Sequence, residues 1–184
     1  MDTRDVLEQV KSGTMTVEEA EGYFRRAPFE EMGFAKLDIH RKLRSGFAEV
    51  VFCSGKADEH LLAIYEHLYE SDGEVFGTRA SQAQYELIRK RFPQVVYDPN
   101  SHILKIEKEK EHMGKIVVCT AGTADIGVAE EAAQTAEYFG IHVERIYDVG
   151  VSGLHRLLAR LETIQSANCV VAVAGMEGAL ASVI

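Results

Sequence analysis

Three loops that combine glycine with charged residues follow three apolar runs in the second half of the sequence. The run Ile116–Cys119 leads into Thr120-Ala-Gly-Thr-Ala-Asp125, and the run His142–Ile146 leads into Asp148-Val-Gly-Val-Ser-Gly-Leu-His155-Arg156. The third run, Cys169–Ala174, leads into Gly175-Met-Glu177-Gly178. Small residues let a ligand approach the backbone, while the charged groups supply two carboxylates, a titratable imidazole and a guanidinium that pairs with anions. A single such loop is ordinary turn chemistry, but the combination predicts a binding pocket.

The order of the elements predicts where this pocket lies. Helix-like stretches of a dozen or more residues separate the three apolar runs, which is typical of parallel strand–helix–strand units with helices on both faces. Ligands of open parallel sheets bind beyond the carboxyl ends of the strands. We therefore expect the three loops to converge at one edge of the sheet.

Asp125, His155 and Glu177 are the candidate catalytic residues. Each has an alternative interpretation. Asp125 is also placed to cap a helix that begins near residue 126, and His155 stands beside two leucines, as a packed core histidine would. Glu177 lies between glycines and is harder to explain structurally. The candidate substrate-binding residues are Gly122, Thr123, Ala124, Arg156, Ala174, Gly175, Met176 and Gly178.

The first half of the sequence predicts a small α+β domain. Helical patterns cover residues 16–24, 38–44, 57–69 and 81–91, and short strands are expected at 49–52, 75–78, 95–97 and 103–106. The charged run 107–112 buries nothing by its pattern and is interpreted as a linker. The predicted division is an N-terminal domain at 1–106, a linker at 107–113 and an α/β domain at 114–184.

Composition excludes several classes of protein. The net charge of -9 argues against coating of nucleic acid, and no apolar run approaches the roughly 20 residues of a membrane span. Cys53, Cys119 and Cys169 show no CxxC spacing, which predicts neither a disulfide framework nor a metal site and suits a reducing cytoplasm. Cys119 is expected to be a small buried strand cysteine, and Cys169 is interpreted as a filler residue of the third strand. Both lie within apolar strands, where thiolate formation is disfavoured.

The pocket motifs resemble one enzyme family. AGTADIGVAEEA, DVGVSGLHRLL and AGMEGALASV are similar to the signature of the LarB carboxylases of nickel-pincer-nucleotide synthesis. In the first half, Asp38-x-x-Arg41-x-x-Arg44-x-Gly-Phe-x-Glu49 and Thr78-Arg79 agree with that family. More distantly, the second half resembles the aminoimidazole ribonucleotide mutases called PurE. The resemblance implies a flavodoxin-like, PurE-like α/β domain with a parallel sheet.

The resemblance also implies an activity. The expected reaction is carboxylation of the pyridinium ring of nicotinic acid adenine dinucleotide, with AMP release and formation of pyridinium-3,5-biscarboxylic acid mononucleotide for the nickel-pincer cofactor. Carbon dioxide or bicarbonate would be the co-substrate, magnesium is an optional participant, and no tightly bound cofactor or metal is expected. A cytoplasmic homo-oligomer is the expected state. Two alternatives stay open: a purine-pathway carboxylase or mutase, and a non-catalytic nucleotide-binding module.

Departures from the family pattern limit these expectations. Ala124 stands where the family usually has Ser, and Gly127 and Ala181 stand where Pro is common. The family continues beyond the equivalent of Ile184 and there carries its nucleophilic cysteine. On this basis the sequence is interpreted as truncated at its C-terminal end, and the 184-residue chain is expected to be inactive by itself.

Overall fold

The computed structural model describes residues 3–24, 29–38, 41 and 46–184. The helix predicted over 38–44 lies largely outside this part. Within it, a four-stranded mixed sheet is followed along the chain by a separate three-stranded parallel sheet. None of the described helices is both long and apolar enough to cross a membrane. The mixed α/β class expected from the sequence is confirmed.

The elements of the first half are two N-terminal helices, a small hairpin and the mixed sheet with its two helices. Their bounds are α1 Thr3–Ser12, α2 Val17–Phe24, β1 Glu30–Glu31, β2 Lys36–Leu37, β3 Val50–Phe52, α3 Asp58–Asp72, β4 Val75–Thr78, α4 Gln82–Arg91, β5 Val96–Asp98 and β6 Ile103–Ile106. The second half contains β7 Met113–Thr120, α5 Ile126–Tyr138, β8 Ile141–Ile146, α6 Leu154–Leu158, α7 Leu161–Gln165 and β9 Cys169–Val173.

The mixed sheet has the strand order β3-β4-β6-β5, with β3 parallel to β4 and the other pairs antiparallel. Helix α4 begins where the sequence provides a capping box: Ser81 and Gln84 exchange hydrogen bonds between side chain and backbone. Apolar residues of α3 and α4 pack on the sheet with residues of β4 and β6, among them the fully buried Leu61, Tyr65 and Ile88.

The second sheet is parallel throughout, in the order β8-β7-β9. Helix α5 covers one face, where Ala129 and Ala133 pack on Val118 and Val143. On the other face, Leu157 of α6 and Ile164 of α7 pack on Val117 and other residues of the sheet. Helices therefore cover both faces, as the continuous apolar strands predict.

The strand order also creates a crevice. The chain passes from β7 to β8 on one side and then crosses β7 to reach β9 on the other side. The loops after β7 and β9 consequently leave the sheet towards opposite faces, and a gap opens between them at the carboxyl ends of the strands. In open α/β sheets this switch point is the usual ligand site.

The charged run between the sheets is more firmly held than its pattern predicts. Lys110 Nζ lies 2.6 Å from Glu74 Oε2, donates to the Tyr138 carbonyl oxygen at 2.7 Å, and lies 3.8 Å from the centre of the Tyr138 ring. Lys110 is the partly buried member of an otherwise exposed run, because a lysine stem can cover an aromatic ring while its ammonium group is paired. Met113, assigned to the linker from the sequence, is the first residue of β7.

Helix α5 also contacts the mixed sheet and its loops. Arg79 pairs with Glu131 at 2.9 Å, Gln134 donates to Asp98 at 2.5 Å, and the Phe76 and Tyr138 rings have centroids 4.5 Å apart. These contacts fix α5 against the first half of the chain.

The tightest contact is at the start of α5. A Cβ atom added at Gly127 would lie 2.9 Å from the carbonyl oxygen of Asn100. Glycine at this position leaves room for the close approach of the backbone of the preceding domain.

We predict that Gly127→Ala lowers the free energy of unfolding by about 1–3 kcal/mol, because a backbone carbonyl has to move to admit the new methyl group. Gly22→Ala is the matched control, since Gly22 is also helical and a Cβ there meets nothing within 4 Å. Ala favours an open helix interior, so the control is not expected to lose stability. Urea unfolding of the three proteins measures the difference, and equal midpoints for the two variants would contradict the contact.

Candidate functional site

A cavity of about 520 Å³ lies at the carboxyl ends of the three parallel strands. Parts of all three glycine-containing loops line it. The lining residues are Ala121, Gly122, Ala124 and Asp125 from the first loop, Gly150, Val151 and Ser152 from the second, and Ala174, Gly175, Met176, Glu177, Ala179 and Leu180 from the third.

Asp125 lies at the centre of the crevice between the first and third loops. Its Oδ2 accepts the Gly122 N–H at 2.9 Å, and Cβ atoms added at Gly122 and Gly175 would lie 3.8 and 3.9 Å from its two carboxylate oxygens. The residue ends a short 3-10 turn, and its side chain makes no capping bond to α5. Asp125 thus shapes the first loop rather than capping the long helix, and leaves Oδ1 directed at the glycine of the third loop.

The second loop is joined to the first by three hydrogen bonds. Thr120, which is fully buried, accepts the Asp148 N–H on its hydroxyl and the Val149 N–H on its carbonyl, both at 2.9 Å. Gly150 donates to the Ala121 carbonyl oxygen at 2.9 Å, and a Cβ at Gly150 would lie only 2.6 Å from that oxygen. The close approach of the two loops therefore requires glycine at this position.

The third loop presents its side chains to solvent. Gly178 donates to the Gly175 carbonyl oxygen at 3.0 Å and closes a tight turn. Met176 has a φ of 51° and is fully exposed, and Glu177 is exposed at the rim of the cavity. A role for Glu177 as a base would need a ligand that covers it.

Four residues expected at the pocket lie outside its lining: Thr123, His155, Arg156 and Gly178. The side chain of His155 is exposed on α6, so its interpretation as a packed core residue is wrong. Arg156 Nη1 donates to Asp148 Oδ2, an acidic partner that the sequence did not suggest. The 3-10 turn Val151–Gly153 explains the positions of His155 and Arg156, because it brings the residues before α6 to the cavity instead of those within it.

The lining residues that were missed are Ala121, Gly150, Val151, Ser152, Ala179 and Leu180. All of them lie inside or beside the motifs AGTAD, DVGVSGLHR and AGMEGAL. The signal that marks them is their position after a strand, because none of their side chains titrates. Small residues line the cavity because they leave space for a ligand. Residue type alone does not identify such a position.

Comparison with known proteins agrees with this architecture. A family model described as the LarB/PurE-like N-terminal domain matches residues 29–110. The chain is also 35% identical, over 98% of its own length and 75% of the relative's, to the uncharacterized protein MJ0165 of Methanocaldococcus jannaschii. The chain belongs to the LarB/PurE-like family. This family comprises enzymes of the carboxylase or mutase type.

The charges of the pocket are negative. Among the lining residues Asp125 and Glu177 are acidic, and none is Lys or Arg. The described residues include no group of three His, Cys, Asp or Glu side chains arranged to hold a metal ion. Such a pocket favours a cationic group at its centre, and it has to bind anionic groups through backbone N–H donors such as those at the start of α5.

The cysteines differ from one another in ways that matter for a carboxylase. Cys119 lies directly before the first loop, but it is fully buried in the core beneath the pocket. This burial raises the pKa of its thiol to about 11. Burial likewise raises the pKa of Cys53 to about 11. Cys169 lies in a strand, as expected, but it is exposed, because it is the first residue of the edge strand β9.

We predict that iodoacetamide at neutral pH labels native Cys169 and leaves Cys53 and Cys119 unmodified. The thiolate is the reactive form, and both buried thiols keep their protons until the pH approaches about 11. Mass spectrometry should find one label per native chain and three after unfolding in urea. Cys169→Ser should abolish labelling of the native protein, and rapid native labelling of Cys119 would contradict the buried position.

Proposed function

We propose that the cavity binds nicotinic acid adenine dinucleotide and supports carboxylation of its pyridinium ring. Hydrolysis of the phosphoanhydride would release AMP and give pyridinium-3,5-biscarboxylic acid mononucleotide for nickel-pincer synthesis. One observation carries the proposal: Asp125 and Glu177 both line the switch-point crevice of a chain of the LarB/PurE-like family.

The shape and charge of the cavity suit a pyridinium ring. Its walls are built from Gly, Ala, Val, Leu and Met, which leave room for a flat heterocycle. The ring carries a positive charge, and the charged side chains of the lining are both carboxylates. The contact between opposite charges is strengthened where water is excluded.

The phosphates require donors, which the first loop supplies. The N–H groups of Thr123 and Ala124 belong to the first turn that leads into α5, where backbone donors lack partners within a helix. The positive end of the α5 dipole points the same way. The loss of the family's Ser hydroxyl at Ala124 leaves binding more dependent on these backbone donors.

The ring is an electrophile, so carboxylation requires prior activation. Addition of a thiolate to the ring gives an enamine-like dihydropyridine whose carbon attacks carbon dioxide. A base then removes the proton from the carboxylated carbon, the ring regains its aromatic electrons, and the thiolate leaves. We propose Asp125 as this base, because Oδ2 is held by the Gly122 N–H while Oδ1 points at the crevice. Glu177 is the second candidate, and the exposed His155 is too far along α6 to line the cavity.

The described pocket contains no thiol for the first step. Its lining includes no cysteine, Cys119 is buried beneath it, and Cys169 lies at the opposite end of its strand. We therefore propose that the 184-residue chain binds the dinucleotide without carboxylating it, and that the thiolate comes from protein outside these residues. Magnesium, if it takes part, would arrive with the phosphates, since Mg²⁺ is commonly held by one or two carboxylates and substrate phosphates.

We predict that the 184-residue chain binds nicotinic acid adenine dinucleotide in preference to aminoimidazole ribonucleotide. Asp125→Asn should weaken dinucleotide binding about tenfold, since it removes a charge-assisted contact to the ring. Asp58→Asn is the matched control, because Asp58 is an exposed residue of α3 in the other half of the chain. Calorimetric titration measures all three proteins.

With bicarbonate and magnesium added, mass spectrometry should detect no dicarboxylated mononucleotide from this chain. Its formation would contradict the proposal, and loss of that product in Cys119→Ala would identify Cys119 as the nucleophile. A preference for aminoimidazole ribonucleotide would favour the purine-type reaction instead.

We also propose that the protein self-associates through exposed apolar residues of its second half. Leu154, Leu158 and Leu161 are exposed on α6 and α7, and Met176 is exposed on the third loop. Exposed apolar surface commonly marks an interface. Light scattering should show a homo-oligomer, and Leu158→Glu should lower the measured mass by placing a charge in the interface. Glu162→Gln, which changes an exposed residue of the same region, is the control, and a monomeric wild-type protein at high concentration would contradict the proposal.

A further inference from the structure

The geometry points to Arg156 as a positioning residue: we infer that it fixes the second pocket loop through Asp148 instead of binding substrate phosphate. The sequence had suggested phosphate binding, since an arginine after a glycine loop is a natural anion ligand. The structural part of the inference stands without the proposed function, and only its ligand part rests on it.

The loop has a strained residue at its start. Asp148 has a φ of 59°, a left-handed conformation that is uncommon for residues other than glycine. Such a conformation persists only when surrounding contacts impose it. One contact is the Thr120 hydroxyl, which accepts the Asp148 N–H at 2.9 Å, and the other is the ion pair between the Asp148 carboxylate and Arg156.

Arg156 also contacts the other end of the loop. A Cβ atom added at Gly153 would lie 2.6 Å from Arg156 Nε and 3.0 Å from Nη2, so the guanidinium packs directly over this glycine. Nε is buried and has no hydrogen-bond partner. One side chain thus spans the loop from Asp148 to Gly153, and the residues between its two contacts, Gly150 to Ser152, line the cavity.

The same contacts make Arg156 poorly placed for phosphate. It is absent from the cavity lining, and its charge is already neutralised by Asp148. A guanidinium that leaves this pair to reach a ligand would uncover Gly153 and remove support from the strained Asp148. The loop geometry therefore depends on Arg156 staying where it is.

The test is native-state hydrogen exchange of the ligand-free chain, read at the amides of Val149 and Gly150. These amides donate to Thr120 and Ala121 and report the junction between the two loops. Arg156→Ala and Asp148→Asn should each lower their protection about fivefold, the factor expected from an ion pair worth about 1 kcal/mol. The double variant should be no worse than the more affected single variant, because both remove one interaction.

Two controls separate this effect from general destabilisation. Arg160→Ala removes a cation from an exposed position one turn further along the chain and should leave both amides unchanged. The Cys53 amide, which donates to Thr78 in the other sheet, should exchange equally in every variant. Protection of Val149 and Gly150 in Arg156→Ala equal to that in Arg160→Ala would overturn the inference.

A ligand series distinguishes positioning from direct phosphate contact. Nicotinic acid riboside, its mononucleotide and the adenine dinucleotide share the ring and differ in phosphate. If Arg156 positions the loop, Arg156→Ala weakens binding of all three by the same factor. A loss confined to the two phosphate-bearing ligands would overturn the inference. If wild-type protein binds none of the three, the proposed function fails, while the exchange measurement still decides the role of Arg156.

Discussion

The docking of helix α5 between the two sheets is the constraint on which the rest of the structure depends. Ala129 and Ala133 of this helix pack on the parallel sheet, while Glu131 and Gln134 face the first half of the chain. The N-terminal end of the same helix forms one wall of the cavity. The position of the pocket therefore depends on contacts that lie mostly outside it. A shift of the first domain would move Asp125 and the backbone N–H groups at the start of the helix with it.

Small residues at the contacts make this arrangement possible. Gly127 leaves room for the Asn100 carbonyl where α5 contacts the first half of the chain, and Gly150 leaves room for the Ala121 carbonyl at the pocket. Each glycine loses more conformational entropy on folding than another residue would, but it allows two backbone segments to approach closely. Packing elsewhere maintains this approach. The space in the pocket exists because its glycines carry no side chains. The acidic groups of the lining can contact a ligand that enters this space.

Residues with strained backbone conformations are concentrated where α5 contacts the first half of the chain and in the pocket loops. In the described residues, the non-glycine residues with positive φ are Arg79, His102, Asp148 and Met176. Arg79 and His102 lie at the joint with α5, where the Arg79 side chain reaches Glu131 and the His102 carbonyl accepts the Ala80 N–H. Asp148 and Met176 lie in the pocket loops. Strain of about 1–3 kcal/mol per residue is retained where the surrounding structure over-determines the backbone, which commonly happens at functional sites.

The sequence by itself determined most of the helices and strands, the parallel sheet and the family. Apolar runs set the strands, because a buried parallel strand needs side chains that are apolar on both faces. It also predicted which loops meet, since the carboxyl ends of parallel strands share one edge.

Only the tertiary structure decided which side chains enter the pocket. A short 3-10 turn directs Gly150 to Ser152 inward and leaves His155 exposed, and no periodic pattern encodes that rotation. Arg156 pairs with Asp148, eight residues earlier in the chain. Asp148 has a left-handed backbone conformation that the sequence does not predict. Lys110 joined the two halves for a similar reason: its partners Glu74 and Tyr138 are distant in the chain. Local patterns fix the elements, but side-chain partners are chosen by packing in three dimensions, which depends on contacts far apart in sequence.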